Sequence, residues 1–347
     1  MAFIEIEHLV KHYTAQRLFG RHAPRTVRAV DDVSFSIDVG HTFGLVGESG
    51  CGKSTLARML VGVVAPTRGD IRFEGRSIRG PRGAERAALR RQVQVVFQDP
   101  YSSLNPSFTV RTVLWEGLRQ TAGGRHAPRS AYLELLDMVG LPSAVLDRYP
   151  YELSGGQRQR VSIARALSVR PRFIVADEPV SALDVSLQAQ ILNLLIGIQR
   201  ELSLTYLVIS HDLNVIRYIC DEVAVMYLGK IVEQASTAAL FAAPQHPYTQ
   251  VLMDAAPRPG WSMAGWRPLQ GELPSPFNPP PGCRFNPRCM WAQEVCRTTE
   301  PPLRILHPTH LCACHRAEEI NDARVTVAGG GTTGHGSVKE QHQDRKG

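Results

Sequence analysis

The 347-residue sequence lacks any apolar run approaching the roughly 20 residues that a membrane span needs. It lacks a signal-peptide pattern too: MAFIEIEHLVKHY carries charge at Glu5, Glu7 and Lys11 and holds no long apolar stretch. No unit of about 20–50 residues repeats, so solenoids and propellers are excluded. No block of arginines or lysines gathers the net charge of +7, and charge alone therefore selects no partner. Without an export signal the chain is expected in the cytoplasm, where thiols stay reduced and disulfides are not expected. Yet there are seven cysteines, and five of them fall between Cys283 and Cys314. In a reducing compartment such a cluster points to metal or cluster ligands, with unligated thiols filling small gaps as the alternative.

What is present is an ordinary globular composition, 43% hydrophobic and 20% charged, long enough for one large domain or two smaller ones. Three zones are visible. Residues 1–255 alternate short apolar runs with helical patterns. Residues 256–320 are rich in proline and cysteine with little periodicity. Residues 321–347 are polar and glycine-rich, the composition of a disordered tail. In the first zone TFGLVG, QVQVVF, RFIVAD and TYLVIS read as buried parallel strands. Leu187, Ile191, Leu194, Leu195 and Ile198 mark one face of a helix beginning near Asp184. EVAVMYLGKIVEQA reads as a hairpin turning at Leu228-Gly229.

GLVGESGCGKST fits the pattern G-x-x-x-x-G-K-[ST]. Its glycines, Gly47, Gly50 and Gly52, let backbone N–H groups wrap a phosphate. Lys53 brings charge to the outer phosphates, and the Ser54 hydroxyl can ligate Mg²⁺. The helix that follows points its positive end at the anion. Glu48, Ser49, Cys51 and Thr55 complete the loop; Cys51 reads as a small filler rather than a redox group. RFIVADEP ends a strand on Asp177-Glu178, which places one carboxylate to hold Mg²⁺ and the next to take a proton from water. Ser154-Gly155-Gly156-Gln157 opens a helix and forms a second anion site.

With these residues together, residues 1–255 resemble the nucleotide-binding subunit of an ATP-binding cassette (ABC) transporter. GESGCGKST resembles the Walker A loop, and FIVADE resembles Walker B with Glu178 as catalytic base. LSGGQ resembles the family signature, with Ser154, Gly155, Gly156 and Gln157 contacting the ATP of a partner subunit. Gln98 resembles the Q-loop glutamine, Asp184 closes a D-loop, and His211 resembles the switch histidine. Tyr13 is the candidate adenine-stacking aromatic. The resemblance implies an α/β P-loop NTPase core with a parallel sheet, an antiparallel β subdomain, a helical subdomain at about 100–165 and a C-terminal extension at 256–320. It implies ATP hydrolysis with Mg²⁺ held through Ser54, Gln98 and Asp177, and Lys53, Glu178 and His211 as the catalytic set. DNA-repair relatives insert a long coiled coil, translation factors carry two cassettes and exporter halves carry membrane spans; this sequence has none of these features.

FQDPYSSLNP, RYPYELSGGQRQR, HPYTQVLMDAAP and GELPSPFNPPPGCRFNPRC resemble the bacterial oligopeptide/dipeptide importer ATPases, and GESGCGKST with the insert at about 15–26 resembles their F-type subunit. The implied partners are a D-type ATP-binding subunit as heterodimer, two membrane permeases and an extracytoplasmic solute-binding protein, with the chain peripheral on the cytoplasmic face of the cell membrane. The segment between Asn105 and Tyr149 would receive the permeases. Nickel, glutathione or another small solute is the alternative cargo within the subfamily. A soluble ATPase acting on nucleic acid or ribosomes is the alternative from another class, and no nucleic-acid partner is expected. The cysteine spacing C-x5-C-x6-C, with Cys314 following after seventeen intervening residues, matches neither the usual zinc nor the bacterial ferredoxin run. The resemblance adds that Cys283, Cys289, Cys296 and Cys314 hold a [4Fe–4S] cluster, with Cys312 competing for the last place.

Overall fold

The structure, a computed structural model, describes residues 2–15, 25–80, 83–121, 127–255 and 274–320. The chain begins with β1 (Ala2–Ala15), β2 (Arg25–Asp38), β3 (Thr42–Val46), α1 (Lys53–Leu60), β4 (Arg68–Phe73) and β5 (Arg76–Ser77). It continues with α2 (Gly83–Gln92), β6 (Val93–Val96), α3 (Pro100–Ser103), α4 (Val110–Thr121), α5 (Arg129–Met138) and α6 (Gly155–Leu167). Then come β7 (Phe173–Asp177), α7 (Val185–Leu202), β8 (Thr205–Ser210), α8 (Leu213–Ile219), β9 (Glu222–Tyr227) and β10 (Lys230–Ser236). The last elements are α9 (Thr237–Ala242), α10 (Pro247–Ala255), α11 (Glu294–Thr298), β11 (Arg304–His307) and β12 (His310–Cys312).

Two sheets result. A four-stranded antiparallel sheet runs β2-β1-β4-β5, and an eight-stranded sheet runs β11-β12-β10-β9-β3-β8-β7-β6. Within the larger sheet β9, β3, β8, β7 and β6 are mutually parallel. All four apolar runs singled out in the sequence are strands of this parallel part, and β3 and β8 are buried at every residue because both faces are covered. By contrast β2 alternates buried and exposed residues over Val33–Asp38, as a strand with one wet face must.

The strand period of two splits the core. β9 sends Val223, Val225 and Tyr227 into the larger cluster, which also holds the buried faces of α4–α8. Ala224 and Met226 face the other way, into a second cluster that packs α1 and the antiparallel sheet against Phe43, Leu45, Val175 and Leu207. The β9–β10 turn has Leu228 at φ 43° and Gly229 at φ 85°, the twist that a two-residue hairpin needs. Helix α7 starts with the Asp184 side chain accepting from the Leu187 N–H, and buries Ile191, Leu195 and Ile198 as the spacing predicted, while Leu194 is half-buried.

The C-terminal extension is continuous with the main sheet. β12 pairs antiparallel with β10 (Glu233 opposite Cys312) and β11 closes the edge. The insert at about 15–26 falls mostly, and the tail at 321–347 wholly, outside the described residues, as does the stretch 256–273.

Candidate active site

At the C-terminal end of β3 the chain makes a tight loop and enters α1. The loop closes against backbone on both sides. A Cβ on Gly52, whose φ is +114°, would lie 2.0 Å from the Ala29 carbonyl oxygen, and a Cβ on Gly47 would lie 2.2 Å from that of Met226. Only glycine fits either position, so the spacing of the motif is steric before it is chemical. Lys53 is 5% exposed. Its ammonium donates to the carbonyls of Gly47 (2.6 Å) and Glu48 (3.0 Å), so the loop curls around its own charge.

A cleft of about 530 Å³ opens over this loop, within the usual range for small-molecule sites. Ser49, Gly50, Gly52, Lys53, Ser54 and Thr55 line its floor, and Gln98, Glu178 and His211 line one wall. Tyr13, Val27, Ala29 and Pro276 form the rest. Tyr13 therefore lies where a planar base could stack, with the Lys11 ammonium 4.9 Å from its ring centroid. Gly47, Glu48 and Cys51 of the same loop do not line the cleft. Cys51 is buried, and burial pushes its thiol up, in keeping with a filler.

Three residues far apart in sequence meet on one carboxylate. Gln98 Nε2 donates to Glu178 Oε2 at 2.8 Å, and His211 Nδ1 lies 3.0 Å from Glu178 Oε1. Glu178 has φ 49°, a left-handed backbone that a non-glycine residue holds only when its surroundings impose it. Its N–H donates to the Ile209 carbonyl on β8, which fixes it at the end of the sheet. Burial raises the neighbouring Asp177 carboxyl above its ordinary value and the Glu178 charge adds to the rise, while the Ser54 hydroxyl, Lys53 and Arg58 draw it down.

The signature residues lie elsewhere. Ser154 caps α6: its Oγ accepts from the Gln157 N–H at 3.3 Å, and Gln157 Oε1 accepts from the Ser154 N–H at 3.1 Å. Ser154 is exposed, and none of the four signature residues lines the cleft over Lys53. Asp184 is likewise exposed, at the start of α7.

Cys283, Cys289, Cys296 and Cys314 line one small cavity with His246, Phe285 and His315. Cys312 does not. It lies in the β12 ladder, fully buried, while Cys314 lines the cavity. Burial pushes the Cys283 thiol up to about 12 and Cys314 to about 11, and the neighbouring thiols add to both rises. The space enclosed is about 20 Å³, room for roughly one water. Among the described residues no group of three or more His, Cys, Asp or Glu side chains is placed to hold one metal ion. The expected iron–sulfur ligands are thus neighbours around a cavity and not an assembled metal site.

Sequence reasoning missed what holds the loop from behind. Glu48 donates its N–H to the Tyr248 hydroxyl (2.9 Å), and its carboxylate receives a two-pronged contact from Arg288 (2.6 and 2.9 Å). These partners lie 200 and 240 residues away in sequence, beyond any local pattern. Pro276, a wall of the cleft, also comes from the extension.

Residues 30–181 match the ABC transporter family, and residues 232–296 match the C-terminal region of oligopeptide/dipeptide transporters. A probable peptide ABC transporter ATP-binding protein of Sinorhizobium fredii is 49% identical over 90% of this chain and 90% of its own length. A putative oligopeptide transport ATP-binding protein of Bacillus subtilis is 46% identical over 91% and 95%. The dipeptide transport ATP-binding protein DppF of Haemophilus influenzae is 47% identical over 88% and 94%. Among solved structures, a dimeric ATP-binding cassette in a post-hydrolysis state bound to ADP and phosphate is 29% identical, with TM-score 0.58 over 67% of this chain and 98% of that one. The protein cbiO1 of Clostridium perfringens, part of the ABC transporter complex cbiONQ, is 27% identical, with TM-score 0.57 over 70% and 91%. No helix among the described residues is long and apolar enough to cross a membrane. The chain belongs to the ATP-binding subunits of the oligopeptide/dipeptide ABC transporter family.

Proposed function

We propose that this chain hydrolyses ATP to power peptide import through membrane permeases, with the chemistry carried by the cleft over Lys53. The convergence of Gln98 and His211 on Glu178 at the wall of that cleft is the observation that carries the reading. ATP lies with its base on Tyr13 and its phosphates in the loop from Gly47 to Thr55. Lys53 exchanges its bonds to the loop carbonyls for phosphate oxygens. Ser54, Asp177 and Gln98 would hold Mg²⁺, which supplies positive charge against the transferring phosphoryl group. Their chemistry fits: three oxygen donors, with a half-buried carboxylate whose raised pKa a cation would lower again.

Glu178 takes a proton from the attacking water as the new O–P bond forms and the bond to the leaving ADP breaks. His211 holds the γ-phosphate and, through its contact with Glu178, the orientation of that base. Lys53 and the loop N–H groups stabilise the phosphoryl charge in place. Ser154 lies exposed, and all four residues from Ser154 to Gln157 lie outside the chain's own cleft, which supports a second ATP-binding subunit whose nucleotide they would cover. We assign that place to a D-type partner, with this chain as the F-type, and Asp184 at the contact between the two. The segment between Asn105 and Tyr149, which carries α4 and α5, forms the surface for the permeases, at the cytoplasmic face of the cell membrane, and a solute-binding protein delivers the cargo from outside.

The four cavity thiols are the ligands we propose for a [4Fe–4S] cluster. Four soft thiols facing one cavity fit such a group in number and chemistry. Cluster binding would draw them into thiolate form against the burial that now raises them. Iron and acid-labile sulfide on anaerobically purified protein test this, and zinc alone would overturn it. ATP-dependent uptake of labelled di- and oligopeptides into vesicles carrying the whole complex tests the function. Uptake that needs ATP is the expected result, and transport of nickel or glutathione with no peptide uptake would replace the cargo.

A further inference from the structure

The segment from Cys283 to Cys289 is one hydrogen-bonded turn. The Asn286 N–H donates to the Cys283 carbonyl (2.9 Å), Asn286 Nδ2 donates to the same carbonyl (2.8 Å), and the Arg288 N–H donates to that of Phe285 (3.0 Å). It bears two of the four cavity thiols, Cys283 and Cys289. It reaches the phosphate-binding loop directly through Arg288 and indirectly through Phe285, which also lines the cavity. Arg288, with its side chain 6% exposed, grips the Glu48 carboxylate through both terminal nitrogens. Phe285 is buried and packs 5.4 Å from the ring of Tyr248, whose hydroxyl takes the Glu48 N–H.

Both ends of Glu48 are thus held by elements that also wall the thiol cavity, and Glu48 directly follows Gly47, where the loop leaves β3. A rigid turn that carries both thiols and loop contacts has few ways to move one without the other.

We propose that this turn is a brace that couples the thiol cavity to the nucleotide-binding loop, with Arg288 and Tyr248 as positioning residues for the ATPase. The inference rests on the ATP-binding role proposed for that loop. Disturbing the thiols by ligand loss, oxidation or alkylation lets the turn shift, Arg288 releases Glu48, and the loop loses its preset anion cradle. By linkage, ATP in the cradle holds the turn shut and shields the thiols.

The test uses the full-length chain, mant-ATP binding by fluorescence, and the variants Arg288→Gln, Tyr248→Phe, Cys289→Ser and the double variant Arg288→Gln/Cys289→Ser. Arg288→Gln is expected to weaken mant-ATP binding about tenfold, as the loss of a charge-assisted, two-pronged contact implies. Tyr248→Phe, which removes one oxygen, weakens it by a few fold, and Cys289→Ser weakens it measurably. The double variant binds no worse than Arg288→Gln alone, because both changes break one linkage.

Folding of the variants is set aside by a measurement on the unmodified chain. Iodoacetamide labelling of Cys283, Cys289 and Cys314, read by mass spectrometry, should slow when ATP and Mg²⁺ are added. The slowing should be smaller in Tyr248→Phe, which keeps the Arg288 contact, and smaller still in Arg288→Gln. A purely structural ion pair would lower thermal stability and leave both the labelling difference and mant-ATP affinity in place. Labelling that ignores ATP, additive effects in the double variant, or affinities changed by less than about twofold overturn the brace. Failure of the unmodified chain to bind mant-ATP at all overturns the ATP reading and the brace with it. Iron content measured on the same samples separates the cluster proposal: labelling coupled to ATP without iron removes the cluster and keeps the brace.

Discussion

Glu233 is the strongest test of how the C-terminal extension is held. It sits on β10 with a side chain 0% exposed, and every contact it makes ties together separate parts of the fold. Oε1 accepts from the Gln245 N–H (2.6 Å) and meets His310 Nε2 on β12 (2.7 Å), and Oε2 accepts from the His246 N–H (3.0 Å). Glu233→Leu keeps most of the volume and deletes all three contacts. Two buried backbone N–H groups and one imidazole then lose their partner, at about 1–3 kcal/mol each. The change also removes the cost of burying a carboxylate, which offsets part of the loss. The net expectation is about 2–5 kcal/mol of destabilisation. For a chain of this size that lowers the thermal midpoint by roughly 3–7 °C. Glu233→Gln keeps one carbonyl acceptor but turns an NH₂ toward a donor, and falls between wild type and Leu. Urea unfolding followed by circular dichroism gives the free energies, and limited trypsin digestion near Arg297 and Arg304 reports release of the extension. A Glu233→Leu protein within about 0.5 kcal/mol of wild type, with unchanged digestion, would refute the claim that this carboxylate pins β12 and the Gln245–His246 loop to the sheet.

Two further outcomes follow from the geometry. Ser154→Arg should leave mant-ATP binding to the isolated chain unchanged, because Ser154 lies outside its own cleft, yet should abolish hydrolysis in the assembled complex; the pair of assays reads both effects. Burial acts to raise the Asp31 carboxyl, but the Arg284 guanidinium and Lys230 outweigh it and hold its pKa below 3.8. The native state therefore binds fewer protons here than the unfolded chain, and the stability Asp31 adds is present above pH 3.8 and lost as pH falls through the lowered value. The urea-unfolding gap between wild type and Asp31→Asn should be full at neutral pH and shrink below pH 3.8.

The parallel strands and the phosphate-binding loop were legible because their signals are local. An apolar run between turn residues announces β3, β6, β7 or β8, and the glycine spacing from Gly47 to Gly52 states a steric need that the Ala29 and Met226 carbonyls confirm. The hairpin at Leu228-Gly229 was legible for the same reason. β11 and β12 were not: RILH and HLC are short, carry no sustained alternation, and become strands only because the free edge of β10 is there to pair with. That Cys312 is locked in the ladder while Cys314 lies just beyond it was equally illegible, since it depends on where that strand ends. The Arg288–Glu48 contact spans 240 residues and joins a proline-rich zone to the loop most readily recognised in the sequence, so only the folded chain reveals it. Tyr13 could be placed on the cleft wall because β1 reaches it in register with Val27, although most of the insert lies outside the described residues.

We propose above that Glu178, held by Gln98 and His211 over the Lys53 loop, activates water for ATP hydrolysis. The direct test compares wild type with Glu178→Gln in the assembled complex, measuring phosphate release and ATP affinity together. The account predicts hydrolysis lowered on the order of 10²–10⁴-fold, the usual contribution of a general base, with ATP affinity nearly unchanged. Hydrolysis that survives at close to the wild-type rate would contradict it.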